Sequence, residues 1–111
     1  MDTPSSVAAG GAFPANFTLH DAHPNPFLPS SETMTIAFEL QRPANQISVT
    51  VYNLLVQVVA KIADSQNFQA GAHTLRWDGR NKFGAPAPAG IYFYALESQL
   101  GRQVKKVLIV R

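Results

Sequence analysis

Short runs in which apolar and polar residues alternate recur along this chain, and they constrain its fold more than any other feature. In residues 33–40, every even-numbered residue is apolar and three of the four odd-numbered ones are polar. Side chains of a β-strand alternate between two faces, so this run predicts a half-buried strand. Similar patterns predict strands at residues 17–19, 33–40, 47–52, 58–63, 73–77, 91–96 and 104–110. Seven short strands, frequent turn signals and no amphipathic helix predict an all-β, antiparallel β-sandwich.

The size and composition of the chain favour a single domain. A length of 111 residues lets such a domain bury roughly 65% of the surface that its unfolded chain exposes. Residues 1–15 are rich in Thr, Pro, Ser, Ala and Gly, so they are predicted to be a flexible linker before a domain at residues 16–111. Neither a membrane span nor a signal peptide is expected from the apolar pattern. The absence of cysteine excludes disulfides and thiol chemistry.

A connection rich in glycine and proline joins two of the predicted strands at residues 78–90. Gly79, Gly84 and Gly90 can adopt positive φ, and two prolines keep the chain extended without donating ladder hydrogen bonds. We expect a hairpin or a crossover between two buried strands rather than a reaction centre. Residues 64–71 and 99–102 are likewise predicted to be loops.

The charge of the chain is weakly positive, and much of it lies near the last residues. A net charge of +2 and a charged fraction of 14% do not indicate a nucleic-acid partner, and none is expected. Four of the nine basic residues occupy the last ten positions: Arg102, Lys105, Lys106 and Arg111. They fit two hypotheses, namely lysines that protect an exposed edge strand from aggregation or an electrostatic handle for an anionic partner.

Two clusters of polar residues contain side chains that metal sites use. His20, Asp21 and His23 include suitable ligand types, but a strand directs His20 and Asp21 to opposite faces, which favours ordinary surface residues. Asp78 and Asn81 lack the run of carboxylates that calcium loops contain, so Asp78 is predicted to cap its own turn. No metal and no cofactor are expected.

No residue pattern indicates catalysis. Ser30 and Ser31 lack the strand–turn–helix context of a nucleophile elbow. Glu39 and Glu97 are only formal candidates for a glycosidase carboxylate pair. The chain is therefore predicted not to be an enzyme.

The aromatic residues admit two interpretations. Tyr92 and Tyr94 share one strand face, and with Tyr52 and Trp77 they form a candidate platform for binding sugars. The opposite face of the same strand is also apolar, however, so packing of Trp77 against Tyr92 in the core is favoured.

An ordered series of short motifs covers almost the whole predicted domain. The motifs are Phe17-Thr18-Leu19, Pro24-Asn25-Pro26-Phe27, Thr35-Ile36-Ala37-Phe38, Val51-Tyr52-Asn53, Ala70-Gly71-Ala72-His73, Trp77-Asp78-Gly79, Gly84, Ala89-Gly90-Ile91-Tyr92 and Lys105-Lys106-Val107-Leu108-Ile109. In this order they resemble the C-terminal sorting domains of the type IX secretion system and the related immunoglobulin-like domain of flagellar hook-capping proteins. The resemblance implies an immunoglobulin-like β-sandwich in which the motif residues are structural.

One position departs from the resemblance. After Tyr52-Asn53-Leu54-Leu55 the family usually has a glycine, whereas this chain has Val56. A β-branched residue is unfavourable at positive φ, so either the turn has a different geometry or the loop is strained.

The resemblance implies a function at the cell surface. A sorting domain of this kind is a non-catalytic signal that the outer-membrane secretion machinery recognises, so that a larger protein is exported and attached to surface lipopolysaccharide. The last strand is the expected recognition element, because an unpaired strand edge can add to another sheet. The implied recognition residues are Arg102, Lys105, Lys106, Val107, Leu108, Ile109, Val110 and Arg111. The protein is expected to be secreted or to lie on the exterior of the outer membrane.

Two further hypotheses stay open. An accessory module of a secreted polysaccharide-degrading enzyme would bind carbohydrate or space domains, and a module of the hook-capping kind would take part in structural assembly. A position at the extreme C-terminus of a larger protein favours sorting, whereas an internal position favours a spacer or binding module.

Overall fold

Seven β-strands form the protein in the computed structural model, which describes residues 17–99 and 101–111. In chain order they are β1 (Phe17–Leu19), β2 (Met34–Leu40), β3 (Ala44–Tyr52), β4 (Val58–Phe68), β5 (Gly71–Trp77), β6 (Gly90–Ser98) and β7 (Gly101–Ile109). Each predicted strand is present, and the described residues contain no helix that could span a membrane. The predicted linker at residues 1–15 lies outside the described residues.

The strands form two antiparallel sheets. One has the order β1-β2-β5 and the other β4-β3-β6-β7, which confirms the predicted immunoglobulin-like β-sandwich. β2 and β5 pair without interruption from Met34 opposite Trp77 to Leu40 opposite Gly71. Phe17 also pairs with Leu40, so β1 begins at the end of the sandwich that is distant from Trp77.

The inward-facing residues of both sheets form one hydrophobic core. In β2 the even-numbered residues are at most 4% exposed, as the alternation predicts. The ring centroid of Trp77 lies 6.2 Å from that of Tyr92 in an edge-to-face arrangement, which confirms the predicted core packing. The sugar platform is wrong for the same reason, because Trp77, Tyr92 and Tyr94 are only 3%, 5% and 0% exposed.

Two predicted loops are shorter than expected because the strands beside them are longer. β4 continues through Phe68 and pairs with β3 as far as Ala44, so most of the predicted loop at residues 64–71 is strand and only residues 69–70 connect β4 to β5. Its polar residues belong to an exposed edge strand, where side chains need not be apolar, and register shifts along β4 mark β-bulges. At the next hairpin, β6 ends at Ser98 and β7 begins at Gly101.

The glycine- and proline-rich connection crosses from β5 in one sheet to β6 in the other. Gly79, Gly84 and Gly90 have the expected positive φ, at 82°, 87° and 149°. Asp78 Oδ1 accepts a hydrogen bond from the Arg80 amide at 3.0 Å, so Asp78 caps this turn as predicted. The connection joins the two sheets at the end of the sandwich opposite to the start of β1.

Candidate functional site

The predicted recognition residues lie on or next to β7, one of the two edge strands of the four-stranded sheet. Val107 and Ile109 are fully buried in the core, whereas Leu108 is 38% exposed on the outer face. Val110 follows the strand with a half-buried side chain. β7 is therefore a structural strand with one face in the core.

Two of the basic residues on β7 have carboxylate partners. Arg102 Nε lies 2.8 Å from a carboxylate oxygen of Glu97, and Lys105 Nζ lies 3.1 Å from one of Asp21. Lys106 is exposed and has no ion-pair partner in the part of the chain that the structure describes. Exposed pairs of this kind add little stability, so the basic residues do not account for the order of β7.

The outer edge of β7 is occupied by the proline-rich segment that follows β1. The Phe27 amide donates to the Leu108 carbonyl at 2.8 Å, and the Val110 amide donates to the Phe27 carbonyl at 3.0 Å. Asn25 adds two side-chain bonds: its Nδ2 donates to the Lys106 carbonyl at 3.2 Å, and its Oδ1 accepts from the Leu108 amide at 3.1 Å.

This contact between residues 17–29 and β7, here called the seam, continues along β1. Gln103 Oε1 accepts a hydrogen bond from the Leu19 amide at 2.7 Å, and Gln103 Nε2 donates to the Phe17 carbonyl at 3.0 Å. One glutamine side chain therefore links β1 of the smaller sheet to β7 of the larger one.

A buried tyrosine joins the seam to the core. The Tyr94 hydroxyl accepts a hydrogen bond from the Ala22 amide at 2.6 Å and donates to the His20 carbonyl at 3.1 Å. Burial raises the pKa of Tyr94 above its ordinary value of 10.0, the bond from the Ala22 amide lowers it in part, and the charge of Asp21 raises it further. The phenol is thus protonated at neutral pH, as its bond to the His20 carbonyl requires.

The seam contradicts the expectation that β7 presents an unpaired edge near its end. The carbonyls of Lys106 and Leu108 and the amides of Leu108 and Val110 are already bonded to Asn25 or Phe27. A strand from another protein cannot pair there without displacing these bonds. The free edge that strand addition requires is therefore absent between the Lys106 carbonyl and the Val110 amide.

The remaining motif residues have structural positions. Pro24 and Pro26 lie in the seam, each after a cis peptide bond, and Gly71 begins β5 with a φ of 121°. A Cβ at Gly79 would lie 2.7 Å from both Cβ and Cγ of Pro29. Only glycine fits at this close approach between the connection and the seam.

His20 and Asp21, two of the candidate metal ligands, contact different partners. His20 Nε2 lies 3.0 Å from a carboxylate oxygen of Glu39, and Asp21 pairs with a lysine of β7. His23 forms a backbone bridge with Thr35. Within the described ranges, no three His, Cys, Asp or Glu residues are grouped so that they could hold a metal ion.

Four large apolar side chains are exposed near the turn between β3 and β4 and the crossover from β5 to β6. Their exposed fractions are 61% for Leu54, 77% for Leu55, 69% for Val56 and 84% for Phe83. The two segments that carry them, residues 53–57 and 78–89, are here called the loop end. This surface is absent from the sequence predictions, although three consecutive apolar residues inside a turn are a visible signal of it.

Each segment of the loop end is fixed by an asparagine side chain. Asn53 Oδ1 accepts hydrogen bonds from the amides two and four residues later, at 2.9 and 3.0 Å. Asn81 Oδ1 does the same, also at 2.9 and 3.0 Å. Such side-chain turns replace missing backbone bonds, so the exposed apolar residues stand on ordered loops.

Val56 has a φ of 62°, so the turn keeps the backbone geometry that a glycine would favour. Its amide donates to the Asn53 carbonyl at 3.0 Å. A β-branched residue in this region is a steric outlier that costs about 1–3 kcal/mol. Of the two alternatives that the sequence left open, the strained loop is correct.

A cleft of about 270 Å³ lies between the two segments of the loop end. Residues from both segments and from the core line it, among them Asn53, Gln57, Asn81, Lys82 and Tyr92. The Tyr92 hydroxyl donates to the Pro88 carbonyl at 2.6 Å. Burial raises the pKa of Tyr92 above 10.0, and the nearby charge of Arg111 partly offsets this effect.

Arg111, predicted as a recognition residue, contacts the loop end instead of standing free. Its Nε donates to the Ala87 carbonyl at 2.8 Å, and its Nη2 lies 3.5 Å from the Gly79 carbonyl. The guanidinium charge therefore sits beside the cleft.

The sequence matches the family profile described as FlgD Ig-like domain over residues 26–101. It is also 31% identical over 71 residues to the basal-body rod modification protein FlgD of Salmonella typhimurium. That alignment covers 64% of this chain and 30% of the relative, so the chain spans less than a third of the length of the relative.

Two solved structures share the fold. The crystal structure of FlgD from P. aeruginosa superposes with a TM-score of 0.58 at 19% identity, over 85% of this chain and 69% of that one. PorZ, described as a surface component of the type IX secretion system of Porphyromonas gingivalis, gives the same TM-score and identity over 82% of this chain but only 11% of PorZ. At this level of identity both likenesses concern the fold alone.

These matches contradict the function of a secretion-sorting signal. The family profile and the relative with 31% identity are both FlgD, whereas the type IX component shares only the fold. The expected partners, a secretion and attachment machinery with lipopolysaccharide or polysaccharide, are wrong for the same reason, and so is the expected location on the cell surface. The hypothesis of a carbohydrate-binding accessory module is overturned as well, because Trp77 and Tyr92 are buried.

Proposed function

Because the chain belongs to the FlgD Ig-like domain family, we propose that it is a non-catalytic assembly module of a flagellar basal-body rod modification protein. The observation that carries this proposal is the family match, which extends over most of the sandwich. Structural assembly of this kind is the third of the hypotheses that the sequence raised. The folding unit that we propose for it is residues 16–111.

The polar and aromatic residues that could suggest a reaction or a sugar site have structural roles instead. This supports a function in binding another protein rather than in catalysis. Trp77 packs against Tyr92, and Asp78 caps a turn. The most exposed of the large apolar side chains in the described residues stand on the ordered segments of the loop end, and such a surface is the kind that a protein partner buries.

A hybrid protein tests the proposal. In Salmonella typhimurium, the region of the rod modification protein that aligns with this chain is replaced by residues 17–111, in cells that lack the native copy. We expect the hybrid to restore basal bodies, scored by electron microscopy, and motility, scored by swimming. A second hybrid with an unrelated β-sandwich of equal length is the control, because it supplies spacing without the family surface.

Immunoblots establish that both hybrids accumulate to the level of the native protein. A stable hybrid that leaves cells non-motile contradicts the proposal. Restoration by the unrelated sandwich contradicts it too, because the domain would then act only as a spacer.

A further inference from the structure

We propose that the loop end is a docking surface for an acidic, amphipathic helix of a partner protein. The inference rests on the proposed function in one respect, namely that an assembly module binds a partner protein. Four properties of residues 53–57 and 78–89 support it: exposed apolar side chains, a cleft between the two segments, hydrogen bonds that hold the loops, and positive charges beside the cleft.

The apolar part of this surface is contributed by both segments. Leu54, Leu55 and Val56 project from the turn between β3 and β4, and Phe83 projects from the crossover, each more than 60% exposed. Soluble monomers rarely leave several large apolar side chains together in water, and such patches mark binding sites. The occupant must therefore present an apolar face.

The cleft between the segments forms a groove beside these side chains: Phe83 lines it, and residues 54–56 stand between its lining residues Asn53 and Gln57 in the turn. Val58 and Pro88 contribute apolar lining, and Asn53, Gln57 and Asn81 place amide groups beside it. Apolar residues at i, i+3, i+4 and i+7 of a helix form a ridge, and a ridge of this kind fits a groove with apolar walls. A lipid surface has no such ridge, so the shape favours a protein segment over a membrane.

The groove exists before any partner binds. The two asparagine-based turns hold the segments through four hydrogen bonds of 2.9–3.0 Å, and Gly79 packs the start of the crossover against Pro29. A surface that is already ordered loses little conformational entropy on binding. This order is consistent with a docking site that a helix enters without refolding the loops.

The charges beside the groove select an acidic occupant. Lys82 is exposed, and its Nζ lies 5.5 Å from the centroid of the Phe83 ring. Neither Lys82 nor Arg111 has an ion-pair partner among the described residues, whereas Asp78 is turned towards Arg80, with its Oδ2 4.0 Å from Nε. Carboxylates on the flanks of a helix complement these cations. A second copy docked by the same end would bring lysine against lysine, which disfavours self-association.

The test is a nuclear magnetic resonance titration of the complete, isotope-labelled chain with a synthetic helical peptide. The peptide carries leucines along one ridge and glutamates on both flanks, and the matched control peptide has lysine in place of every glutamate. We expect the glutamate peptide to shift the amide resonances of residues 53–59, 81–85 and 87. It should bind at least about tenfold more tightly than the lysine peptide, and more weakly as salt screens the charges.

Three variants give the test its residue-level control. Phe83→Ala and Lys82→Glu change exposed side chains and should leave the melting temperature within about 2 °C of the wild type. Each is expected to weaken binding of the glutamate peptide by about tenfold. Lys106→Glu makes the same charge reversal on the outer face of β7 and should change the affinity by less than about twofold.

Several outcomes overturn the inference. They are absence of binding, equal binding of both peptides, shifts elsewhere on the chain, or an equal loss of affinity in Lys106→Glu and Lys82→Glu. Broadening of the same amides by phosphatidylglycerol vesicles overturns it in favour of a membrane, and concentration-dependent shifts of the free chain overturn it in favour of a second copy. The titration uses the isolated chain, so its failure is distinguishable from failure of the hybrid in cells.

Discussion

The seam and the loop end place the same type of residue in opposite environments. At the seam Phe27 is fully buried, whereas at the loop end Phe83 is 84% exposed. The backbone edge at the seam is bonded to Asn25 and Phe27, so it offers nothing to a partner. Apolar side chains gain free energy when they leave water. The difference indicates that the seam stabilises the fold and that the loop end binds a partner protein.

The largest effect is expected for Phe27→Ala. The Phe27 ring is fully buried, with its centroid 5.9 Å from that of Trp77, so truncation should lower the free energy of unfolding by about 3–5 kcal/mol. Phe83→Ala makes the same chemical change at the loop end and should alter it by less than about 0.5 kcal/mol. Urea denaturation measures both values, and similar losses in the two variants would mean that the seam and the loop end contribute equally to stability.

A second pair of variants tests the close approach between the seam and the crossover. Gly79→Ala places a Cβ 2.7 Å from two atoms of Pro29 at a φ of +82°, so it should lower the free energy of unfolding by about 3 kcal/mol. Gly84→Ala has a similar φ of +87° but no atom within 4 Å of the added Cβ, and should lose only about 1 kcal/mol. Equal losses of the free energy of unfolding in the two variants, measured by thermal denaturation, would mean that Pro29 does not pack on Gly79.

Removal of one hydroxyl measures the polar part of the seam. Tyr94→Phe leaves the Ala22 amide and the His20 carbonyl without their partner, so we expect a loss of about 1–2 kcal/mol at neutral pH. An unchanged free energy of unfolding, measured in urea, would show that water replaces these bonds.

The same variant predicts a pH dependence. Burial raises the pKa of Tyr94 above 10.0 in the folded protein, so the unfolded chain releases the phenolic proton first as pH rises. The stability contributed by the neutral phenol is complete below the unfolded pKa and is lost as pH rises through the folded pKa. The difference between the wild type and Tyr94→Phe should therefore shrink above pH 10.0. If the difference in the free energy of unfolding instead grows above pH 10.0, the pKa of Tyr94 is lowered rather than raised in the folded protein.

The smallest effect concerns strain at the loop end. Val56→Gly relieves a φ of 62° and should raise the free energy of unfolding by about 0.5–1 kcal/mol, since the gain exceeds the added freedom of the unfolded chain. Leu55→Gly, at a position without positive φ, should lower it by about the same amount. A loss of stability in Val56→Gly would mean that the side chain packs in the isolated chain.

Local periodicity predicts the strands but not the contacts between distant segments. β2 alternates because one of its faces is in the core, so its residues reveal the strand directly. Residues 64–67 are polar because β4 is an exposed edge strand, and a polar composition by itself predicts a loop there. The bond between Asn25 and Leu108 joins residues 83 positions apart, and no local pattern encodes which strand edge a proline-rich segment meets.

The loop end is harder to predict from the sequence than the strands are. Leu54 to Val56 stand out as apolar residues in a turn, but their proximity to Phe83 depends on the crossover that brings Asn81 and Asn53 to one cleft. The motif series led to the correct fold and to the wrong function, because one sandwich serves many unrelated roles.

Hydrogen exchange along β7 tests most directly whether the seam closes this edge. The amides of Leu108 and Val110 face away from β6 and are bonded to Asn25 and Phe27, whereas the amides of Val104 and Lys106 occupy the same outward row without these partners. We predict that exchange at Leu108 and Val110 is at least about tenfold slower than at Val104 and Lys106. Equally fast exchange along the whole row would contradict the account, because the edge would then be open.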